Sequence, residues 1–297
     1  MASDGVNTSE QVVTVTVDDG GIAGTLLGTT GDEFYTYGTP YPYSRIDELG
    51  GVDTFTIAGA PLELSARGSE LAVDLDDDGS VDLTLANVEN FVISGGAVVL
   101  AGSLAGTALS VGGLTITGTN SADTLDASSV GVRVTIDAGS GNDVIKGSSE
   151  TDILVGGAGA DKLYANAGAD ILRGGTGNDT YYLDNSSQQV VENANEGTDR
   201  VIVKFDYTLG DNVEDLTFAG TFGHVSAGNA LRNTLVGSSG DDVLDGAGGA
   251  ETLTGGKGND RFVFSLGEAS GDTVADFEGA GVAGGMCWCS TASETAR

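Results

Sequence analysis

Cysteine, proline, histidine and basic side chains are all scarce in this 297-residue chain. Two cysteines, Cys287 and Cys289, stand one residue apart, so no disulfide framework holds the fold, and two thiols alone make a weak soft-metal site. A single histidine, His224, leaves both a zinc-protease motif and a Ser-His-Asp triad without their parts, and no G-x-S-x-G occurs. His224 is therefore expected at the surface or in a spacer, and no catalytic residue is assigned. Paired-carboxylate glycosidase chemistry stays open, because aspartates are everywhere and no spacing singles out an acid and a nucleophile. Lys plus Arg number 12 against 44 Asp plus Glu, a formal net charge of -32, which argues against nucleic acid and anionic membranes and points toward cations. The opening MASDGVNTSE has neither a basic n-region nor an apolar h-region, so any export is expected to use another route than a cleavable signal. Residues 90–122 carry no charge, yet Gly, Ser, Thr and Asn interrupt that run too often for a transmembrane helix.

What the chain has instead is glycine, 49 residues without the triplet period of collagen, and a hydrophobic content of 39%. Periodic Leu, Ile and Val at that content argue against plain acidic disorder. From residue 138 to 182 the sequence cuts into five nines without insertion: AGSGNDVIK, GSSETDILV, GGAGADKLY, ANAGADILR and GGTGNDTYY. The sixth position is always aspartate (Asp143, Asp152, Asp161, Asp170, Asp179), and the eighth is always apolar or aromatic (Ile145, Leu154, Leu163, Leu172, Tyr181). A degenerate nine, GTNSADTLD, precedes them with Asp123 and Leu125 in the same places. The period returns at 228–263 in GNALRNTLV, GSSGDDVLD, GAGGAETLT and GGKGNDRFV, with Leu235, Leu244, Leu253 and Phe262 at the eighth position. This consensus is the known nonapeptide G-G-x-G-x-D-x-U-x of calcium-binding parallel β-helices.

Calcium takes about 6 to 8 oxygen ligands, carboxylates and backbone carbonyls among them. A glycine-rich turn can aim successive carbonyls at one point, and the aspartate adds charge. The last three residues of each nine then form a short strand whose central side chain points inward. Two nines make one coil, so turns 18 residues apart stack, and an ion is expected between repeat i and repeat i+2. Asp143, Asp161 and Asp179 share one edge, with turn glycines at Gly139 and Gly141, at Gly156, Gly157 and Gly159, and at Gly174, Gly175 and Gly177. Asp152 and Asp170 share the other, which Glu150 in place of a glycine and the pair Ala165-Asn166 are expected to weaken. In the later block Asp242 and Asp260 share an edge, while Asn233 faces Glu251 on the opposite one, where little or no binding is expected. A glycine-rich solenoid without metal is the competing reading of the same pattern.

Outside the nines, QVVTVTV (11–17), GDEFYTYG (31–38) and GGVDTFTIAG (50–59) read as strands, and 88–118 as stacked strands without acidic turns. YGTPYPY (37–43) reads as a loop. GTDRVIV (197–203) and NVEDLTFAG (212–220) read as strands of an irregular spacer. A separate acidic stretch, VDLDDDGSVDL (73–83), puts Asp74, Asp76, Asp78 and Asp82 at positions one, three, five and nine of a calcium loop, with Gly79 at the turn and the Ser80 carbonyl at seven. Position twelve is Leu85 rather than Glu and strands flank the loop, so it resembles the strand-loop-strand calcium motif of integrin-type propellers and thrombospondin repeats; an ordinary acidic hairpin is the alternative.

The nines at 138–182 and 228–263, about a quarter of the chain, resemble the repeats-in-toxin (RTX, hemolysin-type calcium-binding) family, and YTLGDNVEDLTFAG with AGNALRNTLVG resembles the spacer between such blocks. The resemblance implies an all-β fold, a right-handed parallel β-roll with several Ca2+ ions at its turns, and type I secretion of an unfolded chain into calcium-rich surroundings. Catalytic modules of that family are large separate domains, and no region here resembles one. The expected organisation is a β-rich region at 1–117, a first repeat block at 118–182, a spacer at 183–227, and a second block at 228–280 capped by Phe262, Phe264 and Phe277. The tail at 281–297, GVAGGMCWCSTASETAR, departs from the family pattern and reads as an exposed end. The function expected is a secreted or cell-surface calcium-stabilised module, structural, adhesive or ligand-presenting. The alternative is the calcium-binding part of a polysaccharide-active enzyme or toxin, with a polysaccharide or cell-surface ligand as possible partner.

Overall fold

The computed structural model describes residues 113–265 and 271–276 and, outside them, only the backbone of certain strands. Every element among the described residues is a strand. Contacts divide the chain into two units, Met1–Ser140 with Val144–Ile153, and Gly141–Asp143 with Leu154–Arg297. Parallel β-solenoid ladders build both, with one antiparallel excursion in the first.

In the first unit the strands Gln11–Val15, Glu33–Tyr37, Thr54–Ala58, Asn90–Ser94, Gly113–Thr117 and Val134–Ser140 lie side by side in that order. Their register is parallel, with Phe55 opposite Phe91, Leu114 opposite Phe91 and Val134, and Ile116 opposite Ile136. The segments QVVTVTV, GDEFYTYG and GGVDTFTIAG thus form strands as read, in one parallel ladder. The sheet of Thr25–Leu27, Arg45–Asp47 and Leu83–Ala86 departs from this pattern, because Glu70–Asp74 joins Leu83–Ala86 antiparallel and Glu63–Arg67 joins Glu70–Asp74 antiparallel. Strands thus flank the acidic stretch on both sides. Asp74 ends its first strand, whereas Asp76, Asp78, Ser80 and Asp82 lie outside the described residues.

In the second unit the eighth-position side chains stack into a column. Lys162–Tyr164, Thr180–Tyr182, Arg200–Val203, Asp215–Phe218, Thr234–Val236, Thr252–Thr254 and Thr273–Val274 are parallel neighbours. Their register sets Leu163 opposite Tyr181, then Val201, Leu216, Leu235 and Leu253 in turn. Each of these residues is buried. A strand of three residues has one inward side chain, so a coil brings one apolar residue per strand to the core, and stacking supplies the rest. Burial of a Leu-sized side chain contributes about 1.5 to 3 kcal/mol.

The spacer 183–227 is not a linker, since Arg200–Val203 and Asp215–Phe218 continue the same ladder. Within it lies His224, its imidazole mostly buried, 5.0 Å from the Phe218 ring and 3.5 Å from the Asp206 carboxylate. Of the expected aromatic cap, Phe262 is fully buried and Phe264 partly so, while Phe277 lies outside the described residues. Within the tail, Cys287–Thr291 is a strand paired parallel with Arg261–Ser265.

Candidate metal centre

Each turn of the strong edge is shaped by two left-handed glycines. Gly139 and Gly141 have φ of 96° and 134°, Gly157 and Gly159 of 107° and 139°, and Gly175 and Gly177 of 93° and 137°. Conformation is only half the requirement at the fourth position. A Cβ on Gly159 would sit 1.5 Å from the Gly141 carbonyl oxygen, and one on Gly177 1.7 Å from that of Gly159, so stacked turns touch through bare backbone.

That close stacking builds a ladder of aspartates. The Asp143 N–H donates to Asp161 Oδ1 at 2.7 Å, the Asp161 N–H to Asp179 Oδ1 at 2.8 Å, and the Asp179 N–H to Asp199 Oδ1 at 2.8 Å. The Asp199 N–H closes the series on Glu214 Oε2 at 2.8 Å. One oxygen of each rung is thus used by the preceding turn, while Oδ2 of Asp161 and Oδ2 of Asp179 are buried without a hydrogen-bond donor. These aspartates are no more than 1% exposed. Burial without a counter-ion disfavours the charged form. It pushes the Asp161 carboxyl up to about 6 and Asp179 up to about 7, with repulsion from neighbouring carboxylates adding to the effect. A hard cation is what such oxygens accept.

Asp152, assigned to the weaker edge, lies in a different environment. Its Oδ1 accepts from the Val134 N–H at 2.7 Å and the Ser148 hydroxyl at 2.9 Å, and its Oδ2 from the Ser148 N–H at 2.6 Å. Asp170 Oδ2 accepts from the side-chain amide of Gln188 at 2.8 Å, and that amide also caps the Asn166 carbonyl. Asn166 itself has φ of 61°, a left-handed backbone that asparagine adopts more readily than most side chains.

The later block repeats the contrast on one edge. Asp242 Oδ1 accepts from the His224 N–H at 2.7 Å, and its Oδ2 from the N–H and hydroxyl of Ser238 at 2.7 and 3.0 Å. Asp260 Oδ1 accepts from the Asp242 N–H at 2.9 Å, but its Oδ2 is buried without a donor. Opposite, the Asn233 amide donates to the carbonyls of Val213 and Glu214 and accepts from Asn229, so a neutral side chain fills the aspartate's place.

Sequence reading brought Asp143, Asp161 and Asp179 together correctly but missed Asp199, Gln188 and the two serines. Asp199 follows a coil 20 residues long, so the period of nine does not point to it. The serines carry a signal that was legible, a hydroxyl residue at the second position of the nine, although only the structure shows what it does.

A parallel β-solenoid with glycine turns and buried, incompletely satisfied aspartates defines a metal-binding β-roll. Comparison with protein families matches the RTX calcium-binding nonapeptide repeat (4 copies) at residues 135–154, 147–181 and 228–262. The chain thus carries RTX calcium-binding repeats, and this repeat region is a structural calcium-binding element rather than a catalytic one. No curated protein matches the chain.

Proposed function

We propose that this chain is an extracellular module whose repeat blocks fold on calcium and then serve as a rigid structural, adhesive or ligand-presenting element. The observation that carries the reading is the buried, donor-free Oδ2 of Asp161 and of Asp179, each beside a turn of left-handed glycines. Ordering nine residues costs about 1 to 2 kcal/mol each. One buried apolar side chain per nine does not offset that, and buried carboxylates add repulsion until a cation sits among them. Export by a type I route to a secreted or cell-surface position rests on the repeats themselves. Among the described residues no helix is long and apolar enough to cross a membrane. Circular dichroism in chelator, then in millimolar calcium, tests the folding step: strand signal should appear on calcium addition, and an unchanged spectrum would sink the idea.

A second reading, a calcium-binding part of a secreted polysaccharide-active enzyme or toxin, draws support from one surface feature. Tyr164 and Tyr182 stack at 4.2 Å, nearly parallel, beside a groove of about 360 Å³ that Asp184 and Lys204 also line. An aromatic face flanked by hydrogen-bonding groups suits a sugar ring. Glycan-array binding or lyase and epimerase turnover by the calcium-loaded protein supports this reading, and their joint absence favours the first.

A further inference from the structure

The first repeat block ends in a carboxylate group that the period of nine does not anticipate. Glu192 and Asp199 lie beyond the segments matched by the repeat family. There they meet Asp179: one carboxylate oxygen from each of the three lies within 4.8 Å of the others, and all three residues are buried.

The placement of Glu192 has a specific cause. The last nine of the block carries Tyr181 at its eighth position, where the other four carry Ile or Leu. The Tyr181 hydroxyl accepts from the Gly174 N–H and donates to Glu192 Oε1, which fixes the glutamate inside the coil. Protein donors then account for one oxygen of each acid: Tyr181 for Glu192, the Asp161 N–H for Asp179, and the Asp179 N–H for Asp199. Oε2 of Glu192 and Oδ2 of Asp179 have no donor, although their residues are only 7% and 1% exposed.

Two oxygens bound to one calcium at about 2.3 to 2.6 Å lie at most about 5 Å apart, a limit the trio meets. An all-oxygen, all-anionic donor set suits a hard cation, and waters or turn carbonyls complete its shell. Without a cation the three charges are disfavoured together. Burial, reinforced by mutual repulsion, pushes Glu192 up to about 8, Asp179 to about 7 and Asp199 to about 6.

We propose that Asp179, Glu192 and Asp199 form a calcium site of their own, a carboxylate trio that closes the first repeat block against the coil that follows it. The proposal rests on the reading that the repeats bind calcium, and its test separates the two. Native mass spectrometry of the full chain in calcium counts the ions. Glu192→Gln keeps an acceptor for Tyr181 but removes the charge, so the variant should hold one calcium fewer than the parent, with the strand spectrum retained in calcium. An unchanged count and affinity overturns the proposal. Should Glu192→Gln not fold, crystals of the parent grown in calcium decide the matter, with anomalous density expected within about 2.6 Å of a Glu192 oxygen. Density at the Asp161 turn but none beside Glu192 overturns this site alone, and density at no turn overturns the calcium reading as well.

Discussion

Thr119, Ser148 and Ser238 occupy the same place in their nines as Gly157, Gly175 and Gly256 do in theirs. In each hydroxyl case the backbone N–H and the hydroxyl turn onto the aspartate four residues later, Asp123, Asp152 or Asp242. In each glycine case the backbone is left-handed instead, and the outer oxygen of Asp161, Asp179 or Asp260 finds no donor. The same aspartate is therefore a self-satisfied turn in one setting and an open ligand in the other, as expected when a short hydroxyl side chain offers local hydrogen bonds. Replacing Ser238 by glycine should free Asp242 Oδ2. Isothermal titration should then register an added or tightened calcium site, and the metal-free variant should lose about 1 kcal/mol of stability with those hydrogen bonds. Titration identical to the parent would show that the second position does not control ligation.

At the level of the element, strands were readable because their signal is local. Three residues ending each nine, with Leu163 or Leu253 in the middle, declare an inward side chain whatever the neighbours do. The turns were readable where glycine repeats on a fixed period. What escaped was set by stacking: Gln188 stands 18 residues after Asp170 with an amide where the repeat has aspartate, and Asp199 meets Asp179 across a coil of 20 residues that the period of nine does not anticipate. Asn166 shows the limit of reading a turn from residue type, since its backbone is left-handed at φ 61° without being glycine. The turn element also yields a sharp mutational expectation. Gly159→Ala meets a positive φ of 139° and a carbonyl 1.5 Å from its new Cβ, so it should cost upward of about 2 kcal/mol in calcium. Chemical denaturation measures this, and a loss below a few tenths would mean that the stacked turns separate freely.

For the whole molecule, a net charge of -32 and buried carboxylates oppose compaction together. Asp161, Asp179, Asp199 and Glu192 are raised to about 6, 7, 6 and 8 in the fold, above the ordinary carboxylate range. Between that range and those values the folded chain holds more protons than the unfolded one, so metal-free stability falls as pH rises. It is greatest below about 4, where both states are protonated and the fold has lost nothing. Small-angle scattering of metal-free protein should accordingly give a smaller radius near pH 4 than at pH 8, and added calcium should contract the chain at pH 8. A radius that grows on acidification would contradict this ordering.

The aspartate ladder also has a direction. The N–H groups of Asp143, Asp161 and Asp179 are met by a carboxylate 18 or 20 residues further along the chain, and that of Asp199 by one 15 residues further. A nascent turn is consequently left open until the following coil arrives, and a stack grown from its N-terminal side always carries an unfinished leading rung. Grown from the C-terminal side, the waiting carboxylate is already in place as a template. In this ladder each carboxylate thus completes the turn before it, and loss of a coil should unsettle first the turn on its N-terminal side.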